Sequence, residues 1–377
     1  MKYRPTTTAV VTGLLAAGIA PLACAQTSSV TLFGIVDAYA GRFTGAPTGV
    51  SAADKSVSKV DAGGMSTSRF GMRGSESLGG GLNAVFELSA FFRNDTGAVG
   101  RNDAIGAPVN VAADPFFSRA AWVGLQSNDW GQIRVGNATT LLFINAITSN
   151  AFGDSTVFSP LNLVTFVGGP LTGGGSWTDS IIYNSPNLAG FTLSAAKSLS
   201  ENRGGSNTAL RGTYAAGPLA VSAAWQRVDK NPLTFADGTS PNNTRAWQLA
   251  ASYDFKVVKV FGHLGEIDNR GTEAGPLNIK YRIYEASAQL PLGPGNVLVG
   301  YAQRKTGDAV GPVPATAAGG NKSRRVFTIG YDYALSKRTD AYVMLMRDDT
   351  ITNVVPAPGT LISAKANNFA VGIRHVF

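Results

Sequence analysis

The sequence is nearly empty of the residues that build disulfides, metal centres and hydrolytic sites, with one cysteine, Cys24, and two histidines, His263 and His375. Cys24 falls in a stretch with the marks of an export leader. Lys2 and Arg4 give a short basic start, Ala9 to Ala20 is mostly small and apolar, and Ala23-Cys24-Ala25 is a small-x-small cleavage site before Gln26. Residues 1–25 are therefore expected to be a secretory signal peptide, leaving 26–377 as the folded domain without any thiol. That excludes disulfides and thiolate chemistry. There is no G-x-S-x-G elbow, H-E-x-x-H helix or paired-cysteine site, so an enzyme using a nucleophile or a metal is not expected, and no cofactor is implied. Long apolar runs are missing too. The leader's run is shorter than the roughly 20 residues that span a bilayer, and no stretch after residue 25 has 18 continuous apolar residues, which excludes a bundle of transmembrane helices. Charge is sparse, at 15% of residues where a soluble domain carries about a quarter. Without Lys2 and Arg4, 30 basic residues face 24 acidic ones, but no Lys/Arg run exceeds two residues, so nucleic acid is not expected as a partner.

Present instead are 45 glycines, 19 phenylalanines and 11 tyrosines, set in short alternating segments. The first is Val30 to Tyr39. Others follow at 65–76, 81–95, 116–127, 131–139, 179–186, 191–200, 207–216, 219–229, 243–255, 256–267, 279–291, 295–306, 322–335, 339–349 and 365–377, about sixteen strands in all. The links alternate. Short ones such as 77–80, 128–130, 186–190, 217–218, 292–294 and 336–338 separate longer ones at 42–64, 96–115, 140–178, 230–242, 268–278, 307–321 and 350–364. A soluble sandwich gives no reason for every second connection to be long. A transmembrane barrel does, because short turns face the periplasm and long loops face outside, and closure satisfies every edge N–H and C=O. Facing follows from parity: Phe327, Ile329, Tyr331 and Tyr333 are assigned to lipid against Thr328, Gly330 and Asp332, and Trp247, Leu249, Ala251, Tyr253 and Phe255 alternate with Gln248, Ala250, Ser252 and Asp254. Parity leaves 256–267 and 339–349 ambiguous.

Several motifs carry a resemblance. Ser68-Arg69-Phe70-Gly71-Met72-Arg73-Gly74 running to Leu88, Ser118-Arg119-Ala120-Ala121-Trp122-Val123-Gly124-Leu125, Trp130-Gly131-Gln132-Ile133-Arg134-Val135-Gly136, the opening Ser29 to Gly34, the turn Tyr183 to Phe191 and the closing Gly372 to Phe377 resemble Gram-negative general porins of the neisserial and β-proteobacterial type. The resemblance spans the mature chain. It implies an all-β, 16-stranded antiparallel transmembrane barrel, a homotrimer in the outer membrane, with an inward-folded third loop that narrows a water-filled pore and basic residues on the wall opposite. The third long connection, 140–178, fits that loop. Its implied surroundings are outer-membrane lipid and lipopolysaccharide, the outer-membrane assembly machinery, and small hydrophilic solutes and anions.

In physical terms, Arg69 and Arg73 are four apart on one strand and share a face, with Phe70 and Met72 opposite. Arg119 and Arg134 belong to the next hairpin, with Trp122 assigned to lipid as the counterpart of Arg119. Four guanidiniums on adjacent strands make a positive stripe that attracts anions. Glu87 is expected to neutralise part of it. Two departures from the family matter: Gly136-Asn137 stands where relatives commonly have Gly-Arg, and Asp154 is the only charged residue of 140–178, a loop otherwise rich in Leu, Ile and Phe. The expectation is a passive-diffusion channel preferring anions, the alternative a substrate-specific channel for small organic anions. An energy-coupled receptor is not expected, since no plug domain fits between Gln26 and the strand near Val30. Phe377, on one parity with Phe369, Val371, Ile373 and His375, is expected to end the strand that closes the barrel against the first, near Val30, and in the resembling family an aromatic terminus is part of the assembly signal.

Overall fold

The computed structural model describes residues 28–44, 56–100, 115–166, 174–201, 205–229, 243–271, 276–306, 321–353 and 361–377. The leader expected at 1–25 lies outside them. The strands are β1 Ser28–Thr44, β2 Ser56–Ala62, β3 Arg69–Gly79, β4 Leu82–Phe91, β5 Ala120–Ser127, β6 Gly131–Thr139, β7 Ser176–Asn184, β8 Phe191–Ser198 and β9 Asn207–Ala216. They continue as β10 Leu219–Val228, β11 Thr244–Asp254, β12 Lys259–Gly271, β13 Pro276–Leu292, β14 Gly295–Thr306, β15 Asn321–Ala334, β16 Thr339–Asn353 and β17 Leu361–Val376. All pair antiparallel in one sheet, and β1 closes it by pairing with β17 on one side and with both β2 and β3 on the other. β2 lies along Ala38 to Thr44 and β3 along Ser28 to Ile35, so the two share one place in the wall and the barrel has sixteen strands.

This corrects the sequence reading at the first hairpin. The long connection expected over 42–64 is shorter, because β1 runs to Thr44 and Ser56–Ala62 is a strand, and the next strand starts at Arg69 rather than at 65. Residues 63–68 leave the ladder between β2 and β3, with only Val36 and Asp37 opposite them on β1. Elsewhere the hairpin rhythm holds. Residues 80–81, 128–130, 185–190, 217–218, 255–258, 293–294 and 335–338 link strands at one end, and every other connection leaves from the opposite end.

The two faces differ as parity requires. Leu32, Met72, Val123, Ile133, Leu193, Leu249, Phe327, Leu345 and Val371 are exposed on the outer face and form an apolar belt. Near the short turns the belt ends in rings: Tyr253 and Phe255 have centroids 4.5 Å apart, Phe191 and Tyr214 4.4 Å. There Tyr183 and Tyr331 donate their hydroxyls to the Trp130 and Leu292 carbonyls, satisfying their polar ends at the interface. The two ambiguous strands are also placed. Phe261 and His263 on β12, and Tyr342, Met344 and Met346 on β16, are buried on the other face, away from Leu264, Val343 and Leu345.

Tyr342, Met344 and Met346 join the core built by the connection between β6 and β7, which contains two short helices, α1 Leu141–Thr148 and α2 Pro160–Thr165. Strand periodicity could not reveal these, but their caps are legible. Thr140 Oγ1 accepts from the Phe143 N–H, Ser159 Oγ accepts from the Asn162 N–H, and Pro160 follows as a first helical residue with no N–H to satisfy. α1 packs along β8 to β11 and α2 along β13 to β15. Leu142, Phe158, Leu161 and Val164 bury against Ala224, Ile283, Leu298, Ala302 and Val326, each large side chain contributing about 1.5–3 kcal/mol. The loop's apolar composition is thus its adhesive. Two wall arginines complete the joint: Arg324 Nη1 donates to the Leu163 carbonyl at 2.8 Å while Nε engages the buried Asp348, and Arg304 Nη1 donates to the Val164 carbonyl at 3.3 Å.

Candidate functional site

The loop covers β8 to β11 and β13 to β15 and meets Trp177 and Ile182 of β7 through Leu141, which leaves the wall around β3 and β4 and the start of β5 more open. That wall holds the arginines read from the sequence. Arg69 opens β3 and donates Nη1 to Asp154 Oδ2 at 2.7 Å, so the loop's one carboxylate is tied to the wall. Arg119 pairs through Nη1 with Glu87 Oε1 and with Ser89 Oγ at 3.2 Å. Arg73 has its guanidinium 5.3 Å from the Phe33 ring centre, and Arg134 lies 5.2 Å over the Trp122 ring. Neither Arg73 nor Arg134 has a carboxylate partner among the described residues. The four cations and Glu87 named from sequence therefore gather on one wall, with Asp154 reaching it from the loop, two of the cations paired and two not.

Trp122 is a correction. Assigned to lipid, it is instead the direct cross-strand partner of Glu87 and Gly136, and directly paired residues share a face. The reason is local. Arg119 sits in a bend before β5 begins at Ala120, so its side chain does not obey the strand's alternation, and counting parity from it places Trp122 on the wrong side. Gly136 shows why no side chain extends there. Its φ is +134°, and a Cβ would meet the Ala121 carbonyl oxygen at 2.2 Å, so glycine lets β6 bulge toward Asn137. Asn137 turns its amide to the Phe117 carbonyl at 3.3 Å, neutral where relatives carry charge.

Between this wall and the loop lies a solvent-open space lined by Thr67, Arg69, Phe91, Arg119, Phe143 and Asp154 among others. It has polar and cationic atoms on the β3 to β5 side and the Phe143 ring on the loop side.

Two groups that shape the site, Arg211 and Asp37, were not read from the sequence. Arg211 on β9 donates Nε to Asn145 Oδ1 and Nη2 to Thr148 Oγ1, fixing the C-terminal turn of α1, and it too has no carboxylate partner among the described residues. Its parity with Thr213, opposite exposed Leu210, was the available signal. Asp37 is fully buried and accepts the N–H groups of Gly64, Met65 and Ser66 at 3.2, 2.8 and 2.7 Å, as well as the Tyr342 hydroxyl at 2.5 Å. Residues 63–68 wrap that carboxylate and then hold the loop: Ser66 Oγ donates to Asp154 Oδ1 at 2.7 Å, and Ser155 Oγ donates to the Gly64 carbonyl at 2.7 Å. Arg374, on the inner parity of β17, reaches Ser66 Oγ, Asp332 and Asp340 at 3.2, 3.3 and 3.1 Å.

The seam is held as a ladder. Gly34 and Phe377 exchange both backbone hydrogen bonds at 3.0 Å, and pairing continues to Arg42 against Phe369. It starts at Gly34 rather than near Val30, because the chain below Gly34 pairs only with β3. The Phe377 ring covers Gly34, where a Cβ would lie 2.3 Å from Cζ.

A closed sixteen-stranded sheet with an apolar outer belt and a charged inner wall defines a transmembrane barrel channel. The family model described as Gram-negative porin matches residues 6–353, and the chain belongs to that family. An outer membrane porin protein of Bordetella pertussis is 28% identical, with 96% of this chain and 98% of that protein covered. Outer membrane porin protein 32 of Delftia acidovorans is 30% identical over 93% of this chain and 94% of its own. Among solved structures, an anion-selective porin from Comamonas acidovorans superimposes with a TM-score of 0.72 at 26% identity, covering 93% of this chain and all of that one. The protein is an outer-membrane porin of a Gram-negative bacterium, a channel and not an enzyme. Porins of this kind are typically trimeric.

Proposed function

We propose that this porin passes small hydrophilic solutes by passive diffusion with a preference for anions, and that the third long connection, through its described residues 140–166, folds into the lumen as its constriction. The observation that carries the reading is the charge balance of the uncovered wall and loop. Of Arg69, Arg73, Arg119, Arg134 and Arg211, only Arg69 and Arg119 pair with carboxylates, so the set carries an excess of three positive charges. Excess charge of one sign on a narrow aqueous path raises the local concentration of counter-ions and lowers that of co-ions. The similarity to an anion-selective porin supports the same sign. Proteoliposome swelling tests it: small monocarboxylates should enter several-fold faster than neutral sugars of equal size, and equal or slower entry would overturn the preference. Sugars of graded size alone should show a smooth cutoff, whereas a preferred sugar or acid that saturates would favour the substrate-specific channel.

The remaining roles belong to the same reading. The protein works as a homotrimer, residues 1–25 direct export and are removed, and Phe377 is the residue that the assembly machinery reads. Deleting Phe377 should lower the amount of folded barrel in the outer membrane several-fold while single-channel conductance of the inserted fraction stays unchanged. Normal surface levels of the deletion would count against that role.

A further inference from the structure

The packing of the loop explains one side of α1 and not the other. Leu141, Leu142, Asn145 and Ala146 are buried, and Leu142 and Ala146 join the core that fixes the loop to the wall. Phe143 and Ile147 do not. They lie four residues apart on the helix, hence on one face, and both are only partly buried and line the solvent-open space between loop and wall. The Phe143 ring is braced by Phe166, with centroids 4.9 Å apart and planes at 61°, and Phe166 itself packs against the core. Phe91, the last residue of β4, adds a second ring to the lining. Passage of chloride makes no use of apolar side chains held at an aqueous path.

Across the space stand Arg69 and Arg119, and each is only half engaged. Arg69 donates through Nη1 alone, to the Thr67 carbonyl and Asp154, and Arg119 through Nη1 alone, to Glu87 and Ser89. Their Nε and Nη2 donors have no acceptor among the described residues, and the two side chains are 17% and 27% exposed. The Nε and Nη2 groups form one edge of a guanidinium, and such an edge fits a single carboxylate with two parallel hydrogen bonds. The space is therefore two-sided, with donors for a carboxylate on the wall and an apolar, ring-lined surface on the loop. It fits a monoanion with an apolar body. Chloride and acetate use only the wall. A dicarboxylate would bring its second charge against Phe143 and Ile147 or beside Asp154, where desolvation and like charge oppose it.

We propose that this space is a weak binding site for monocarboxylates with an apolar body, aromatic ones above all, the carboxylate on the free edge of Arg69 or Arg119 and the ring on Phe143 and Ile147. The proposal names the class of solute within the anion reading, rests on that reading, and moves the pore toward the substrate-specific alternative. The probes are potassium benzoate, acetate and succinate, each added to the full-length channel in a planar bilayer while chloride current is recorded. Covering about 50 Å² of apolar surface raises occupancy roughly tenfold, so benzoate should half-block the current at about a tenth of the acetate concentration. Succinate should block no better than acetate, and benzamide, the uncharged counterpart of benzoate, should not block. The variant Phe143→Gln/Ile147→Gln should bring the benzoate and acetate values together, whereas Phe143→Leu/Ile147→Leu, which keeps the apolar face, should hold them several-fold apart. Equal block by benzoate and acetate in the wild type, stronger block by succinate, comparable block by benzamide, or the same benzoate advantage in the glutamine variant as in the wild type would each overturn the site. A zero-current potential of the same channel on the potassium side of zero would fail the anion reading and this site together. Equal block with the potential on the chloride side would fail the site alone.

Discussion

Asp37→Ala is expected to be the most damaging single substitution inside this barrel. The carboxylate it removes satisfies three main-chain N–H groups and a tyrosine hydroxyl at a position with no exposure. Each buried donor left without an acceptor costs about 1–3 kcal/mol, so the variant should lose on the order of 5 kcal/mol locally. The loss falls on residues 63–68, which in turn hold the loop through Ser66 and Ser155. Two readouts should move together. The temperature at which the folded band disappears on gels should fall, and single-channel current should become noisy with brief closures as the loop detaches from β1 and β3. Asp37→Asn keeps one acceptor oxygen and should be milder in both. A quiet, heat-stable Asp37→Ala channel would mean that the 63–68 wrap does not anchor the loop.

The second large effect concerns selectivity. Arg73→Gln/Arg134→Gln removes the two sequence-identified cations that have no carboxylate partner among the described residues, leaving the two ion pairs intact. For an ion passing about 7 Å from such a charge in a water-like medium, the interaction is roughly 0.6 kcal/mol, about a threefold change in occupancy for each ion species. Because anions lose what cations gain, each neutralised arginine acts twice on the ratio, and two should lower the chloride-to-potassium permeability ratio roughly fiftyfold at low ionic strength. The effect should shrink as salt rises, since the Debye length falls to about 10 Å at 0.1 M. Conductance at high salt should hardly change. A ratio unaffected at low salt would place these side chains away from the ion path.

How far the sequence could be read follows from what kind of signal each feature leaves. The wall was legible because a strand between lipid and water must alternate, so Phe327 to Tyr333 and Trp247 to Phe255 declare their faces without any tertiary information. The closing strand was legible for the same reason. Strand β16 was not, because the loop buries its inner residues. Met344 and Met346 are apolar on the side where a pore wall would be polar, and the packed loop explains them. The arginine wall was found through motif and parity together. Parity failed where the ladder was irregular, at Arg119, and so misplaced Trp122. Asp37 left no trace at all, because its partners are main-chain N–H groups. Gly63-Gly64 was the one hint that the chain turns sharply there, and nothing in the pattern said what it turns around.

The central claim is that the unpaired arginines make the pore prefer anions, and the zero-current potential across a planar bilayer in a tenfold potassium chloride gradient tests it most directly. The account predicts a potential displaced toward the chloride equilibrium value, reduced in Arg73→Gln/Arg134→Gln. A wild-type potential on the potassium side of zero would contradict it.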